Sequence, residues 1–351
     1  MNKKLFILIA LMLAVGMVLA ACGGTEGENG TNDAGTAEGN NGGENAAEGE
    51  GNAGEAADYP NRDIEIYVGH GAGGGTDTFA RKMAELMEPI LGVNINVVNK
   101  EGAGGVIAKE AAANQPADGY TLVAISSFPV STALGTNPAG LDVLTPIARV
   151  QADTYTIMTK PDQFASLEDF LAFAEENPGE IRIGGVSTGS MDEINTARFI
   201  DATGLDMTYV PFDGTGDATA ALLGGHIDAM LEEIGPMIDY VESGEIEPIL
   251  VFAEERLDDF PDVPTTVENG WELTQGVERG MAVHVDVPDA IKEKLEAAMK
   301  EAYDSEEYKE YEKQAYLHLR EGWLGSEDYR AKLEEDIELY REAAEKIGAT
   351  Q

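Results

Sequence analysis

Asp63-Ile64-Glu65-Ile66-Tyr67-Val68-Gly69-His70-Gly71-Ala72-Gly73-Gly74-Gly75-Thr76-Asp77-Thr78-Phe79 is the stretch on which the fold turns. Residues 63–68 alternate polar and apolar, the period-two pattern of a strand. A glycine-dominated loop follows at 69–75. Phe79, Met83, Leu86 and Ile90 then recur at helical spacing and predict a helix from Thr76 towards Leu91. Strand, glycine-rich turn and helix form the unit from which a parallel α/β sheet is built.

Working outward, the unit repeats. A strand is expected at 94–99, then Gly102-Ala103-Gly104-Gly105, an alanine-rich helix to Asn114, and a strand at 120–125 that ends in Ser126-Ser127. Farther on, the pattern predicts a helix at 167–176, a strand at 181–183, a loop from Gly184 to Ser190 and a helix to Ala202. A strand at 207–210 leads through Pro211-Phe212-Asp213-Gly214-Thr215-Gly216 into a helix that closes at Gly224-Gly225. Strands at 227–231 and 248–252 follow, and 289–347 reads as charged amphipathic helix. Two α/β units and a helical tail predict two lobes with a cleft between them.

In the other direction lies a different kind of sequence. Met1-Asn2-Lys3-Lys4, the apolar run Leu5 to Leu19 and Leu19-Ala20-Ala21-Cys22 read as a secretory signal ending at a small-residue cleavage site. The run is too short for a comfortable membrane span. Cys22, the one cysteine of the chain, is the expected lipidation site, which places the mature protein outside the cytoplasm and anchors it to the membrane. Residues 23–58 are almost wholly Gly, Glu, Asn and Ala, without an aromatic or basic residue. Such a segment cannot bury enough apolar surface to offset its ordering entropy and is expected to be a disordered leash with a reach of roughly 30–35 Å. Only nine of the 65 acidic residues lie in it, so most of the formal charge of −42 belongs to the folded part. That charge excludes nucleic acid and an anionic membrane face as partners.

Four of the predicted loops open a helix directly after a strand. Helix amino termini carry unpaired N–H groups and partial positive charge, so they receive anions without a basic side chain, and here Lys100 is the nearest cation in sequence. Two enzyme patterns compete with this reading. Gly69-His70-Gly71-Ala72-Gly73-Gly74 fits the dinucleotide pattern, but the acidic residue expected after the second strand is replaced by Asn99-Lys100-Glu101. Gly185-Val186-Ser187-Thr188-Gly189 fits the nucleophile elbow of a serine hydrolase, whose helix should start directly after the serine. Instead Ser190-Met191-Asp192-Glu193 reads as a capping box that delays the helix by three residues. An exported hydrolase using Ser187 is the alternative function. No histidine or acid has metal-ligand spacing such as H-E-x-x-H, and no cofactor is expected. Asp77, in the first turn of the first helix, is either a dipole-stabilising acid or a cleft-facing acceptor.

With these loops the chain resembles the Bug-type substrate-binding receptors of tripartite tricarboxylate transporters. The resemblance runs over nearly all of 59–351. It rests on Ala72-Gly73-Gly74-Gly75-Thr76-Asp77, Asn99-Lys100-Glu101-Gly102-Ala103-Gly104-Gly105, Pro116-Ala117-Asp118-Gly119-Tyr120-Thr121-Leu122 and the Gly185 to Ser190 loop, followed by Val210-Pro211-Phe212-Asp213-Gly214, Leu222-Leu223-Gly224-Gly225-His226-Ile227-Asp228 and Pro261-Asp262-Val263-Pro264-Thr265. It implies a two-lobed α/β protein of the type II periplasmic-binding, Venus-flytrap class, with 59–152 and 276–351 as one lobe and 153–275 as the other. It also implies a monomer that holds one small carboxylate in the cleft, performs no catalysis and docks on membrane permease subunits. Carried over by motif, Gly73, Gly74, Asp77 and Ser126 are expected on one side of the ligand, and Ser187, Thr188, Ser190 and Gly214 on the other.

The chain departs from the pattern in its charges. Asp192, Asp213 and Glu232-Glu233 stand where the family more often has neutral or basic residues. Carboxylates beside the cleft would oppose a polyanion by like-charge repulsion and suit an amino acid or a monocarboxylate. Alternatively, these acids belong only to the acidic surface.

Overall fold

The computed structural model describes residues 58–164 and 166–346. The expected signal, the lipidation of Cys22 and nearly all of the leash lie outside them. Along the chain run β1 (Ile64–Val68), α1 (Gly75–Leu91), β2 (Ile95–Asn99), α2 (Val106–Ala113), β3 (Thr121–Ile125), α3 (Phe128–Ala133), β4 (Leu144–Ala152) and β5 (Tyr155–Thr159). Then come α4 (Leu167–Glu176), β6 (Arg182–Val186), α5 (Met191–Thr203), β7 (Thr208–Phe212), α6 (Thr215–Leu223), β8 (Ala229–Glu233), α7 (Ile234–Glu242) and β9 (Glu247–Val251). The chain ends with β10 (Glu278–His284), α8 (Asp289–Asp304), α9 (Glu306–Gln314), β11 (Leu324–Gly325) and α10 (Ser326–Lys346).

The strands form two sheets, ordered β11-β4-β10-β3-β1-β2 and β7-β6-β8-β5-β9. The units predicted from strand–glycine–helix patterns pair in parallel: β1 with β2 and β3, and β6 with β7 and β8. The antiparallel pairings were not predicted, and β4, β5 and β10 were not expected as strands. β10 runs antiparallel to β3 and β4, and β5 antiparallel to β8 and β9. Both belong to the crossings between the sheets. β4 leaves the first sheet at Ala152, and β5 enters the second at Tyr155. The return passes beside this crossing, where the Asp153 N–H donates to the Val277 carbonyl at 2.9 Å.

Each sheet buries both faces. On the first, Ile64, Ile66 and Val68 pack with Phe79 and Met83 of α1 and with Leu295 and Met299 of α8. The opposite face sets Tyr67, Val123 and Ile125 against Tyr329 and Leu333 of α10. In the second sheet Ile157, Ile183 and Leu250 meet Phe170, Phe199 and the far end of α10 at Tyr340 and Ala343. Met158, Met230 and Val251 cover the other side with Leu222 and Met237. Burying a large apolar side chain stabilises by about 1.5–3 kcal/mol, so α10, rooted in both cores, ties the two lobes together.

Two boundaries differ from the sequence reading in ways that matter for the site. β6 continues through Gly184 and Gly185 to Val186, because both glycines pair with β7. β8 starts at Ala229, two residues late. Asp228 is occupied by a tie to Arg182, accepting from its backbone N–H at 3.0 Å and its Nε at 2.9 Å. The shift brings Glu232 and Glu233 into the buried end of a strand.

Candidate ligand-binding cleft

The loops that follow β1, β2, β3, β6 and β7 and the end of β8 line one cavity of about 760 Å³ between the lobes. They leave the carboxyl ends of parallel strands, where α/β sheets bind ligands. Backbone proximity holds the first two loops together. A Cβ on Gly69 would lie 2.3 Å from the Gly105 Cα, so only glycine allows that approach.

Of the residues expected at the site, the cavity brings together Gly74, Ser126, Ser187, Thr188, Ser190 and Gly214. Gly73 and Asp77 are not in its lining. Asp77 is 1% exposed, and its carboxylate faces inward to hold the loop: it accepts from the Gly73 N–H, Arg81 Nε and Asn99 Nδ2, each at 2.8 Å. Burial alone would raise its pKa, but these bonds outweigh it and hold the carboxyl below its usual value. Gly73 instead borders a second cavity of about 460 Å³, on the far side of Arg279.

The capping box lies where the sequence places it. Ser190 caps α5 by accepting from the Glu193 N–H at 3.2 Å, while Glu193 accepts from the Gly189 N–H at 2.5 Å. Ser187, with φ at 62°, sits on the turn before it. Its N–H donates to Phe212 O, and its carbonyl accepts from the Ser190 and Tyr209 hydroxyls. Among the described residues no histidine bonds to Ser187, and α5 begins only at Met191, so the geometry is a backbone turn rather than a nucleophile elbow.

The cation of the cleft is Arg279, which the sequence reading missed. It comes from β10, crosses to the second lobe and is 7% exposed. Its Nη1 donates to Asp153, and its Nη2 lies 3.2 Å from both Glu233 oxygens. An arginine directly before the small and apolar run Gly280-Met281-Ala282-Val283 was the available signal, since a guanidinium carried into a buried strand requires partners. Burial pulls it down to about 10, still charged at neutral pH. Nearby, burial and then Lys109 and Arg279 pull His70 down to about 4, leaving it neutral. Lys109, also buried, donates to Ser131 Oγ at 2.9 Å.

The suspected acids divide. Asp213 lines the cavity but is exposed, whereas Asp192, Glu232 and Glu233 are 8%, 6% and 6% exposed. Asp192 accepts from the Tyr155 hydroxyl at 2.5 Å and the Val186 N–H at 2.7 Å. Burial nonetheless pushes it up to about 6. Burial and then Asp192 push Glu232 up to about 7. Burial, then Glu232 and Asp192, push Glu233 up as well, and the guanidinium of Arg279 opposes that shift.

Residues 79–338 match the family described as "Tripartite tricarboxylate transporter family receptor". Protein BugT of Bordetella pertussis is 33% identical over 222 residues, which cover 62% of this chain and 68% of BugT. A TctC solute binding protein from Polaromonas, crystallised with no ligand, superposes with a TM-score of 0.70 at 29% identity, over 82% of this chain and 99% of that one. MatC from Rhodopseudomonas palustris, with bound malate, superposes with a TM-score of 0.70 at 26% identity, over 81% and 99%. These likenesses run through both lobes and therefore through the cleft between them: the chain belongs to the tripartite tricarboxylate transporter receptor family, whose members are extracytoplasmic solute-binding receptors and not enzymes.

Proposed function

We propose that this protein is a lipid-anchored receptor that captures a small organic carboxylate between its lobes and delivers it to the membrane subunits of a tripartite tricarboxylate-type transporter. The observation that carries the reading is the convergence of strand-end loops from both sheets on one cavity. There the amino termini of α1, α5 and α6 bring unpaired N–H groups, and Ser126, Ser187 and Thr188 bring hydroxyls. The malate bound to MatC supports a carboxylate ligand. In this reading 59–152 with 276–351 and 153–275 are the lobes of a monomer, they close on the ligand about the crossings at Asp153 and Val277, and Cys22 carries the lipid.

Native mass spectrometry of the purified protein, with identification of released small molecules, tests the ligand class. One carboxylate per chain is expected. Absence of any bound carboxylate, together with no thermal shift across a carboxylate panel, would reject the reading. Cys22→Ala is expected to move the protein from the membrane fraction to the soluble one.

A further inference from the structure

We propose that the ligand carries a protonated amine as well as its carboxylate, and that Glu232 and Asp192 on the second lobe receive the amine. The proposal rests on the receptor reading above and names its ligand class more closely: a small amino acid rather than a di- or tricarboxylate.

The two walls of the cleft differ in sign. Apart from the exposed Glu101 at its rim, the first lobe presents donors: the start of α1 at Gly75 and Thr76, the Ser126 hydroxyl, and His70, whose buried Nδ1 has no partner among the described residues. A carboxylate fits there. The second lobe presents acceptors. Glu232 lines the cavity while 6% exposed. Its Oε1 accepts from the Glu233 N–H at 3.0 Å, and its Oε2 is buried with no partner among the described residues. A buried carboxylate oxygen without a donor is costly, and an ammonium supplies three donors. Asp192, on the same wall, holds its two bonds and still has acceptor capacity. Glu233 is taken by Arg279, so the guanidinium does not serve Glu232.

A second ligand carboxylate on this wall would meet like charge in a partly desolvated space. A metal ion does not fit either, since no three acidic or histidine side chains among the described residues converge to hold one. The groups that face Glu232 are Asp192 from α5, Tyr155 from β5, Tyr209 from β7 and Glu233 on its own strand, with the Thr215 hydroxyl at the start of α6, which lies too far for a well-formed hydrogen bond to Oε2 but still opposes the upward shift. All of the charged ones are acids. Glu232 and Asp192 are both raised towards neutrality, so the empty wall retains a proton that an arriving ammonium displaces.

The test is calorimetric titration of the full chain with matched pairs that exchange hydroxyl for ammonium: lactate and alanine, 4-hydroxybutyrate and 4-aminobutyrate, malate and aspartate. A charge-assisted hydrogen bond predicts binding of the amino member about tenfold to a hundredfold tighter in the pair that fits. Binding should release protons near pH 7, seen as a heat that changes with the ionisation enthalpy of the buffer. Glu232→Gln should remove most of the preference and the proton release while leaving the thermal midpoint equal or higher. Tighter binding of any hydroxy member than of its amino partner, or proton uptake with the amino member, overturns the proposal while the receptor reading stands. If no member of either series binds, the amine proposal falls, and the receptor reading is decided separately by the mass-spectrometric and carboxylate-panel test. The wild-type comparison needs no variant and therefore decides even if Glu232→Gln does not fold.

Discussion

Arg279→Met removes the guanidinium that joins the lobes and retains much of the side-chain volume. In the wild type the arginine is 7% exposed, and the two carboxylates it serves, Asp153 and Glu233, are each 6% exposed. Removing one partner of a buried ion pair costs about 3–5 kcal/mol because the other charge is stranded. For a folded part of this size, about 2 °C of melting temperature follows each kcal/mol, so the midpoint should fall by about 6–10 °C. The loss should depend on pH. Without the guanidinium, Glu233 is a buried acid whose folded pKa, already raised by burial, lies still farther above its unfolded value. The stabilisation that goes with such groups is complete below the unfolded pKa and is lost as pH rises through the folded one. The deficit is therefore smaller at pH 5.5 than at pH 8. Calorimetric melts of wild type and variant at both values measure it, and adding Glu233→Gln should restore part of the loss at pH 8. A midpoint within 2 °C of wild type, or an equal deficit at the two pH values, would refute the argument.

The wild-type protein should itself lose stability between about pH 5 and pH 7, because the two raised acids together outweigh His70, whose lowered pKa makes stability rise with pH up to its unfolded value. Glu232 and Asp192 are raised to about 7 and about 6, and each unit corresponds to about 1.4 kcal/mol; a chemical-denaturation series whose stability rises over that range would contradict it. Asp77→Ala should cost about 1–3 kcal/mol by leaving the Gly73 N–H and Asn99 amide unpaired, and ligand affinity should fall although Asp77 does not line the cleft. Because the Asp77 carboxyl is held below its usual value, its contribution is present at neutral pH and lost in acid. The stability gap between variant and wild type should close there, and a gap that persists unchanged in strong acid would show that the bonds to Asp77 are not its source.

The parallel parts of both sheets were legible because each combines a short apolar run, a glycine-rich turn and a helix with one apolar face. Gly92 closes α1 at φ 74°, and Ser190 caps α5; local chemistry and tertiary structure agree at both. β4, β5 and β10 were not legible. Every residue of β5 is buried, as are eight of the nine in β4 and five of the seven in β10. A strand covered on both faces shows no alternation to read. These are also the strands that lead into and out of the crossings, so the discontinuous lobe plan reached the sequence reading through resemblance, not periodicity.

The site divides along the same line. Its backbone donors were legible, since a glycine-rich loop before a helix declares its N–H groups in sequence. Asp77 was ambiguous because a first-turn acid can face either way; the loop turned it inward, where three donors wait. Arg279 was hidden because it lies at a strand end and its partners, Asp153 and Glu233, are far away in sequence. Glu232 was noticed as an acid, but the sequence left open whether it faced the cleft or joined the acidic surface. Moving β8 by two residues converts Glu232-Glu233 from an apparent surface pair into one acid paired with Arg279 and one with a free oxygen. The ion pair explains why Glu233 can be buried. Among the described residues no cation gives the same explanation for Glu232 Oε2, and raised-pKa acids beside one another lower stability at neutral pH. A buried acid that lowers stability at neutral pH and lines the cleft is the feature that the proposed ammonium-bearing ligand would explain.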